Sequence, residues 1–300
     1  MNEQRDEPAP ETPLFAWGKA VLRGVGQVMF QCHALCGLLF LLGIAVASPP
    51  MALGGLAGSV IGTAVARLLR LDEGEIRDGI YGFNGTLVGV AAFFFLKPVA
   101  LAIVLMIAAG AISTIVTWLM RRHLPFPTYT LPFIVTTWAM VAVAGSLGLP
   151  RVVLPPPPHV FDISSALSEG LSEVFLQANR VTGILFLVAL AVSNGRHAAL
   201  GLLGSFIGTA VAIYHSDDVG NVSIGIYGYN ASLTAIGLYH WRKSLLIPCL
   251  GALVSTPITE FFPRTGLATL TAPFVLACWV VIAAGAAEGL FLRGEDGAHT

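Results

Sequence analysis

Charge is what this sequence has least of. Only 11% of its 300 residues are Asp, Glu, Lys or Arg, against roughly 25% in a soluble domain. The chain therefore has less than half the usual means of covering a water-facing surface. Its formal net charge of −1 argues against nucleic acid or an acidic polymer as a partner, since both need a basic field. Cysteine is also scarce. Cys32, Cys36, Cys249 and Cys278 lie in or beside apolar segments, and their spacing suggests neither a zinc site nor a disulfide framework. They read as small packing residues. The histidines at 33, 123, 159, 197, 215, 240 and 299 form no cluster at ligand spacing, so no metal and no cofactor is expected. The first 14 residues, MNEQRDEPAPETPL, lack the basic start and short apolar core of a signal peptide. They are expected to be a disordered tail.

Apolar residues fill the space that charge leaves. They make up 55% of the chain, and the mean hydropathy is +0.79. The runs 40–66, 87–120 and 274–292 contain only two formal charges, Lys97 and Glu288. A bilayer crossing needs about 20 mostly apolar residues, so the sequence predicts an all-α protein that crosses the membrane many times. An enzyme or receptor embedded in the membrane is the remote alternative, because no acid or metal cluster is visible to serve one.

The chain repeats itself. Residues 24–90 align without a gap on residues 170–236, a shift of 146, and 28 of the 67 positions are identical. GSVIGTAVA (58–66) meets GSFIGTAVA (204–212), and GIYGFNGTLVG (79–89) meets GIYGYNASLTA (225–235). A second match follows at a shift of 141, where FPTYTLPF (126–133) meets LATLTAPF (267–274). Chance similarity between apolar segments does not hold register over such lengths. The reading is a first repeat over 15–150, a proline-rich connector over 151–162, a second repeat over 163–292 and a tail over 293–300. The four consecutive prolines at 155–158 cannot continue a helix.

Each repeat contains five apolar stretches, near 33–48, 51–68, 80–96, 98–120 and 130–148, then near 181–193, 198–214, 224–240, 244–259 and 271–292. An odd number of crossings makes the second copy enter from the opposite side. The halves are then inverted repeats about an axis in the membrane plane. With the N-terminus inside, twelve Lys and Arg residues fall in inside segments and four outside, as the positive-inside rule requires. The predicted topology is ten transmembrane helices with both termini cytoplasmic. Segments 14–30 and 163–177 are left over. Each is either a surface helix or a re-entrant half-helix, and the latter is tolerated at depth only beside protein or a polar cavity.

Inverted copies bring equivalent residues together near the axis. The polar and aromatic pairs are Gln27 with Glu173, Phe83 with Tyr229, Leu87 with Leu233, Asn84 with Asn230, and Thr130 with Thr271. The asparagines are expected to brace a bend rather than touch solute. Glu173 starts an apolar run, and an intramembrane carboxylate is a functional candidate by default. The competing reading places it at the interface, paired with Arg180. An amide and a carboxylate accept N–H bonds, and facing aromatics form a slot for a flat solute. A small neutral amide fits best, although residue chemistry leaves ammonia, water, glycerol and formate open.

FPTYTLPF and LATLTAPF resemble the duplicated Leu-Pro-x-x-Thr-x-Pro-Phe signature of the urea transporter family. The segments GIYGFNGTLVG, GIYGYNASLTA, QVMF and EVFL are similar to family segments at matching places, and the resemblance runs from about residue 14 to 290. It implies a homotrimer in which each subunit has its own pore between two inverted halves and passes urea passively. It implies urea-binding regions at Gln27 with Val28, facing the cytoplasm, and at Glu173 with Val174, facing outside. Phe30, Phe83 and Leu87 would wall one slot, and Leu176, Tyr229 and Leu233 its counterpart. Thr130 and Thr271 would line a central constriction. The implied location is a plasma membrane, the inner membrane of a bacterium. The sequence departs from the family at Leu176 and Tyr229, where Phe is common, and at Phe126 and Ala268 in the signatures. Short-chain amides, ammonia and water stay open as alternative solutes.

Overall fold

The computed structural model describes residues 12–158 and 160–297, the side chains of 288–297 excepted. Apart from one bridge between Leu96 and Arg151, all secondary structure among the described residues is helical. The first half holds α1 (Pro13–Gln27), α2 (Ala34–Ala47), α3 (Pro49–Leu68), α4 (Glu73–Arg77), α5 (Phe83–Phe95), α6 (Ala100–His123) and α7 (Leu131–Ser146). The second holds α8 (Ile163–Ser172), which ends in a 3₁₀ turn at Glu173–Phe175, then α9 (Arg180–Ser193), α10 (Gly195–Tyr214), α11 (Val219–Ser223), α12 (Gly228–Trp241), α13 (Leu246–Phe261) and α14 (Ala272–Gly297). The bounds of α2, α3 and α4 recur as α9, α10 and α11 with every residue number raised by 146. Residues 1–11 of the expected N-terminal tail, and 298–300 of the C-terminal one, lie outside the described residues. Helix α1 already starts at Pro13, and α14 continues past 292.

Local chemistry sets these boundaries twice over. Pro13 and Pro49 stand at first helical positions, where the missing N–H costs nothing. Asp72 caps α4 by accepting from Glu75 N at 2.8 Å, and Asp218 caps α11 by accepting from Asn221 N at 3.0 Å. His33 and Asn179, again 146 apart, cap α2 and α9 through Cys36 N and Thr182 N. Gly79 and Gly225 open the echoed Gly-Ile-Tyr-Gly phrase at φ +82° and +77°. A Cβ there would sit 2.3 Å from Gly24 N or 2.2 Å from Gly170 N, so only glycine fits.

Four helices are long and apolar enough to cross a bilayer: Pro49–Leu68, Ala100–His123, Gly195–Tyr214 and Leu246–Thr265. Ile163–Phe175 and Arg180–Ser193 together meet the same criterion, but they bend by 76° at the break between them. Ala34–Ala47, Phe83–Phe95, Leu131–Ser146 and Ala272–Ala287 are shorter apolar helices. Leu35, Leu38, Leu42 and Val46 point outward from α2, as do Val181, Ile184, Val188 and Val192 from α9. Such stripes at helical spacing would face water at a cost in a soluble protein. In lipid they are the ordinary outer surface, and the chain is a multi-pass membrane protein.

The halves meet through reciprocal contacts. Phe40 packs on Phe186, its own counterpart, with ring centroids 4.7 Å apart. Gln31 Nε2 lies 3.0 Å from His197 Nδ1, and Gln177 Nε2 lies 3.2 Å from Met51 Sδ. Trp138 donates to the Ala268 carbonyl at 2.8 Å, and Trp279 donates to the Pro127 carbonyl at 2.9 Å. A contact between i and j is answered by one between their counterparts, which is the pattern of an isologous, two-fold interface.

Candidate functional site

The site begins where α1 stops. Gln31 N reaches back to the Gly26 carbonyl at 3.0 Å, a Schellman closure whose left-handed residue is usually glycine. Here that residue is Phe30, at φ 62°. The second half does the same: Gln177 N bonds to the Ser172 carbonyl at 3.2 Å around Leu176 at φ 58°. Bulky residues in this region are strained by about 1–3 kcal/mol, and such strain collects at functional sites. Ending the helix this way turns the Phe30 ring onto Tyr129, His240 and Phe274, with centroids 6.0, 5.4 and 6.0 Å away.

A cavity of about 200 Å³ opens at this point. It is lined by Gln27, Val28, Phe30, Phe83 and Thr130, five of the predicted residues, and by Tyr129 and Phe274, among others. Gln27 Nε2 donates to the Asp78 carbonyl at 2.9 Å, which leaves its amide oxygen as an acceptor. Leu87 is one turn beyond Phe83 on α5 and fully buried in the core, outside the cavity lining.

The second-half residues are packed in matching places. Glu173 is 6% exposed, Val174 1%, Tyr229 4% and Leu233 fully buried, while Leu176 is half-buried. Arg180 pairs with Asp162 at 3.4 Å, and no ion pair among the described residues includes Glu173. The interface pairing of Glu173 with Arg180 is therefore not what forms. The Tyr229 hydroxyl donates to the Leu270 carbonyl, so the extra oxygen at this departure from the family pattern is tied to backbone.

The two threonines meet. Thr130 Oγ1 and Thr271 Oγ1 are 2.7 Å apart across the halves, and both residues are buried. Each follows a left-handed residue, Tyr129 at φ 45° and Leu270 at φ 44°, and each precedes a helix with proline in its first turn. Asn84 and Asn230 hold these helix starts. Asn84 Oδ1 accepts from Phe133 N at 3.1 Å and its Nδ2 donates to Thr117 Oγ1 at 3.1 Å. Asn230 Oδ1 accepts from Phe274 N at 3.2 Å and its Nδ2 reaches Thr259 Oγ1 at 3.3 Å. Each asparagine thus supplies from another helix the cap that the threonine does not give.

Some cavity residues escaped the sequence reading. Tyr129 and Phe274 lie within FPTYTLPF and LATLTAPF, one residue before Thr130 and three after Thr271, which is the signal the sequence offers. Arg121 also lines the cavity and pairs with Glu75. It stands in the last turn of α6 beside Arg122 and His123, where a basic residue reads as an ordinary helix-end cation. Among the described residues, the one group with metal-ligand spacing is His215, Asp217 and Glu260, none of which lines the cavity.

Residues 19–286 match the family model described as urea transporter. Urea transporter 1 of Ovis aries is 27% identical over 290 aligned residues, spanning 86% of this chain and 74% of its own length. Urea transporter 1 of Mus musculus is 29% identical over 276 residues, spanning 81% of this chain and 68% of its own. Taken with the helical membrane architecture and a cavity whose lining includes Thr130, a match over this length settles the assignment: the chain belongs to the urea transporter family.

Proposed function

We propose that the protein passes urea down its gradient by a channel-like mechanism, through a slot running from Gln27 and Val28, past Thr130 and Thr271, to Glu173 and Val174. The family is one of transporters and not of enzymes. The observation that carries the reading is the cavity of Gln27, Val28, Phe30 and Phe83, whose lining also includes Thr130, a threonine bonded to its own counterpart. Urea is flat and neutral, with N–H donors on both sides of a carbonyl. Entering edge-on, it exchanges water for the Gln27 amide oxygen while Phe30 and Phe83 cover its faces. At the constriction each threonine hydroxyl gives up its partner and turns to the solute, so the acceptor count is kept as water is shed. Beyond it, Glu173 and Val174 offer acceptors between Leu176, Tyr229 and Leu233, with Leu87 backing the first slot. Weak binding at each stage is what lets solute leave quickly.

The same reading gives ten membrane-spanning helices, α2, α3, α5, α6, α7, α9, α10, α12, α13 and α14, and two re-entrant half-helices, α1 and α8 with its 3₁₀ turn. The repeats are 15–150 and 163–292, joined by 151–162 and inverted about an axis at the Thr130–Thr271 contact. The reciprocal bonds between halves support it. We place the protein in the inner membrane of a bacterium as a homotrimer, with both termini cytoplasmic and the Gln27 slot facing the cytoplasm. Leu176 replaces one flat wall, which favours passage of other short-chain amides beside urea. Stopped-flow light scattering on proteoliposomes tests the proposal. Urea flux should exceed that of protein-free vesicles without any ion gradient, and a requirement for sodium or protons would contradict it.

A further inference from the structure

A second cavity, of about 360 Å³, lies where the start of α10 meets the end of α12. Its lining brings together polar Arg196, Lys243 and Ser244 and apolar Leu200, Leu203 and Leu245. The two cations converge on one ring. Arg196 Nη1 is 3.4 Å from the Tyr239 hydroxyl, and Lys243 Nζ is 4.5 Å from the centre of the same ring. Neither takes part in an ion pair among the described residues, and the sequence offers them no acid nearby. Residues 174–216 and 219–259, which supply the whole pocket, contain no Asp or Glu.

We propose that this pocket holds the headgroup of an anionic phospholipid, with its phosphate between Arg196 and Lys243 and an acyl chain along Leu203 and Leu245. Paired cations take a phosphate through charge-assisted hydrogen bonds, and basic pockets between membrane helices are suited to anionic headgroups. The apolar lining is as telling as the two cations. Leu245 and Leu246 are both 67% exposed, continuous with the pocket, and a free phosphate would leave them uncovered. Trp241, 37% exposed, lies two residues before Lys243 at the end of α12, and aromatic residues favour the headgroup level. The pocket also abuts the slot. Tyr239 packs on His197, His197 on His240 and His240 on Phe30, with centroids 6.0, 4.7 and 5.4 Å apart.

Native mass spectrometry of the purified full chain, titrated with phosphatidylglycerol, phosphatidylcholine or inorganic phosphate, tests the assignment. The native chain should retain phosphatidylglycerol at least five-fold over phosphatidylcholine. The double variant Arg196→Gln with Lys243→Gln should lose that preference, while Arg196→Lys keeps it. Arg242→Gln should also keep it, because Arg242 lies over Trp241 outside the pocket lining. Equal retention of the two lipids by the native chain would overturn the proposal. Loss of the preference in Arg242→Gln as great as in the double variant would assign the effect to diffuse charge and overturn it too. So would inorganic phosphate that binds alone or displaces the lipid.

Discussion

Asn84→Leu removes a buried amide that joins three helices. Two bonds go with it: the one that Phe133 N gives to Oδ1 at 3.1 Å, and the one that Nδ2 gives to Thr117 Oγ1 at 3.1 Å. They are not equivalent. Thr117 keeps its own donation to the Ser113 carbonyl at 2.7 Å, so losing the amide costs it about 0.5–1.5 kcal/mol. Phe133 N stands in the first turn of α7, where no intrahelical acceptor exists, and a buried orphan donor costs about 1–3 kcal/mol. Leucine is nearly the same size, so packing changes little, and the expected loss is about 2–4 kcal/mol. The damage is local to the start of α7, three residues after Thr130. We expect the apparent unfolding temperature in detergent to fall by several degrees. Urea flux per correctly assembled protein should fall several-fold, because Thr130 is no longer held. Wild-type melting and wild-type flux in Asn84→Leu would refute the remote-cap account of this helix start.

Other variants probe the remaining links. Tyr229→Phe removes the donor to the Leu270 carbonyl, which keeps only the 3.4 Å contact from Asn230; stability should drop by about 1–2 kcal/mol while urea flux stays within three-fold, both read on the same preparation. Glu173→Gln should retain part of the urea flux, since an acceptor oxygen survives, whereas Glu173→Leu should nearly abolish it at equal expression. Equal flux in wild type and Glu173→Leu would remove this residue from the path. Gly79→Ala forces a Cβ to within 2.3 Å of Gly24 N at φ +82°, and size-exclusion profiles should show that it assembles poorly, whereas Gly18→Ala, with open space around it, should not.

The duplication was legible because both copies kept register, and the helix bounds of α2, α3 and α4 recur as the sequence shift predicts. Thr130, Thr271, Asn84 and Asn230 could be found as polar residues that survive in both copies. Backbone geometry was not readable. Nothing in the identity of Phe30 or Leu176 announces a left-handed turn, since a bulky side chain there is disfavoured locally and is held by the closure of the helix end. Tyr129 and Leu270 are hidden for the same reason. The Asn84 cap was invisible because it comes from a helix 49 residues away in sequence, where local capping rules have no reach. Charge placement was only partly readable: Arg180 was a plausible partner for Glu173 by proximity in sequence, yet Asp162 takes it.

The central claim is that urea passes between Thr130 and Thr271, whose hydroxyl oxygens are 2.7 Å apart. The double variant Thr130→Cys with Thr271→Cys places two thiols within reach of a disulfide, which needs Cβ atoms about 3.5–4.5 Å apart. Stopped-flow urea flux should be measured on proteoliposomes before oxidation, after oxidation and after reduction, with the native chain and its four free cysteines treated alike. The bridge should stop flux and reduction should restore it, while the native chain is unchanged. Undiminished urea flux through a double variant shown by mass spectrometry to be fully cross-linked would contradict it.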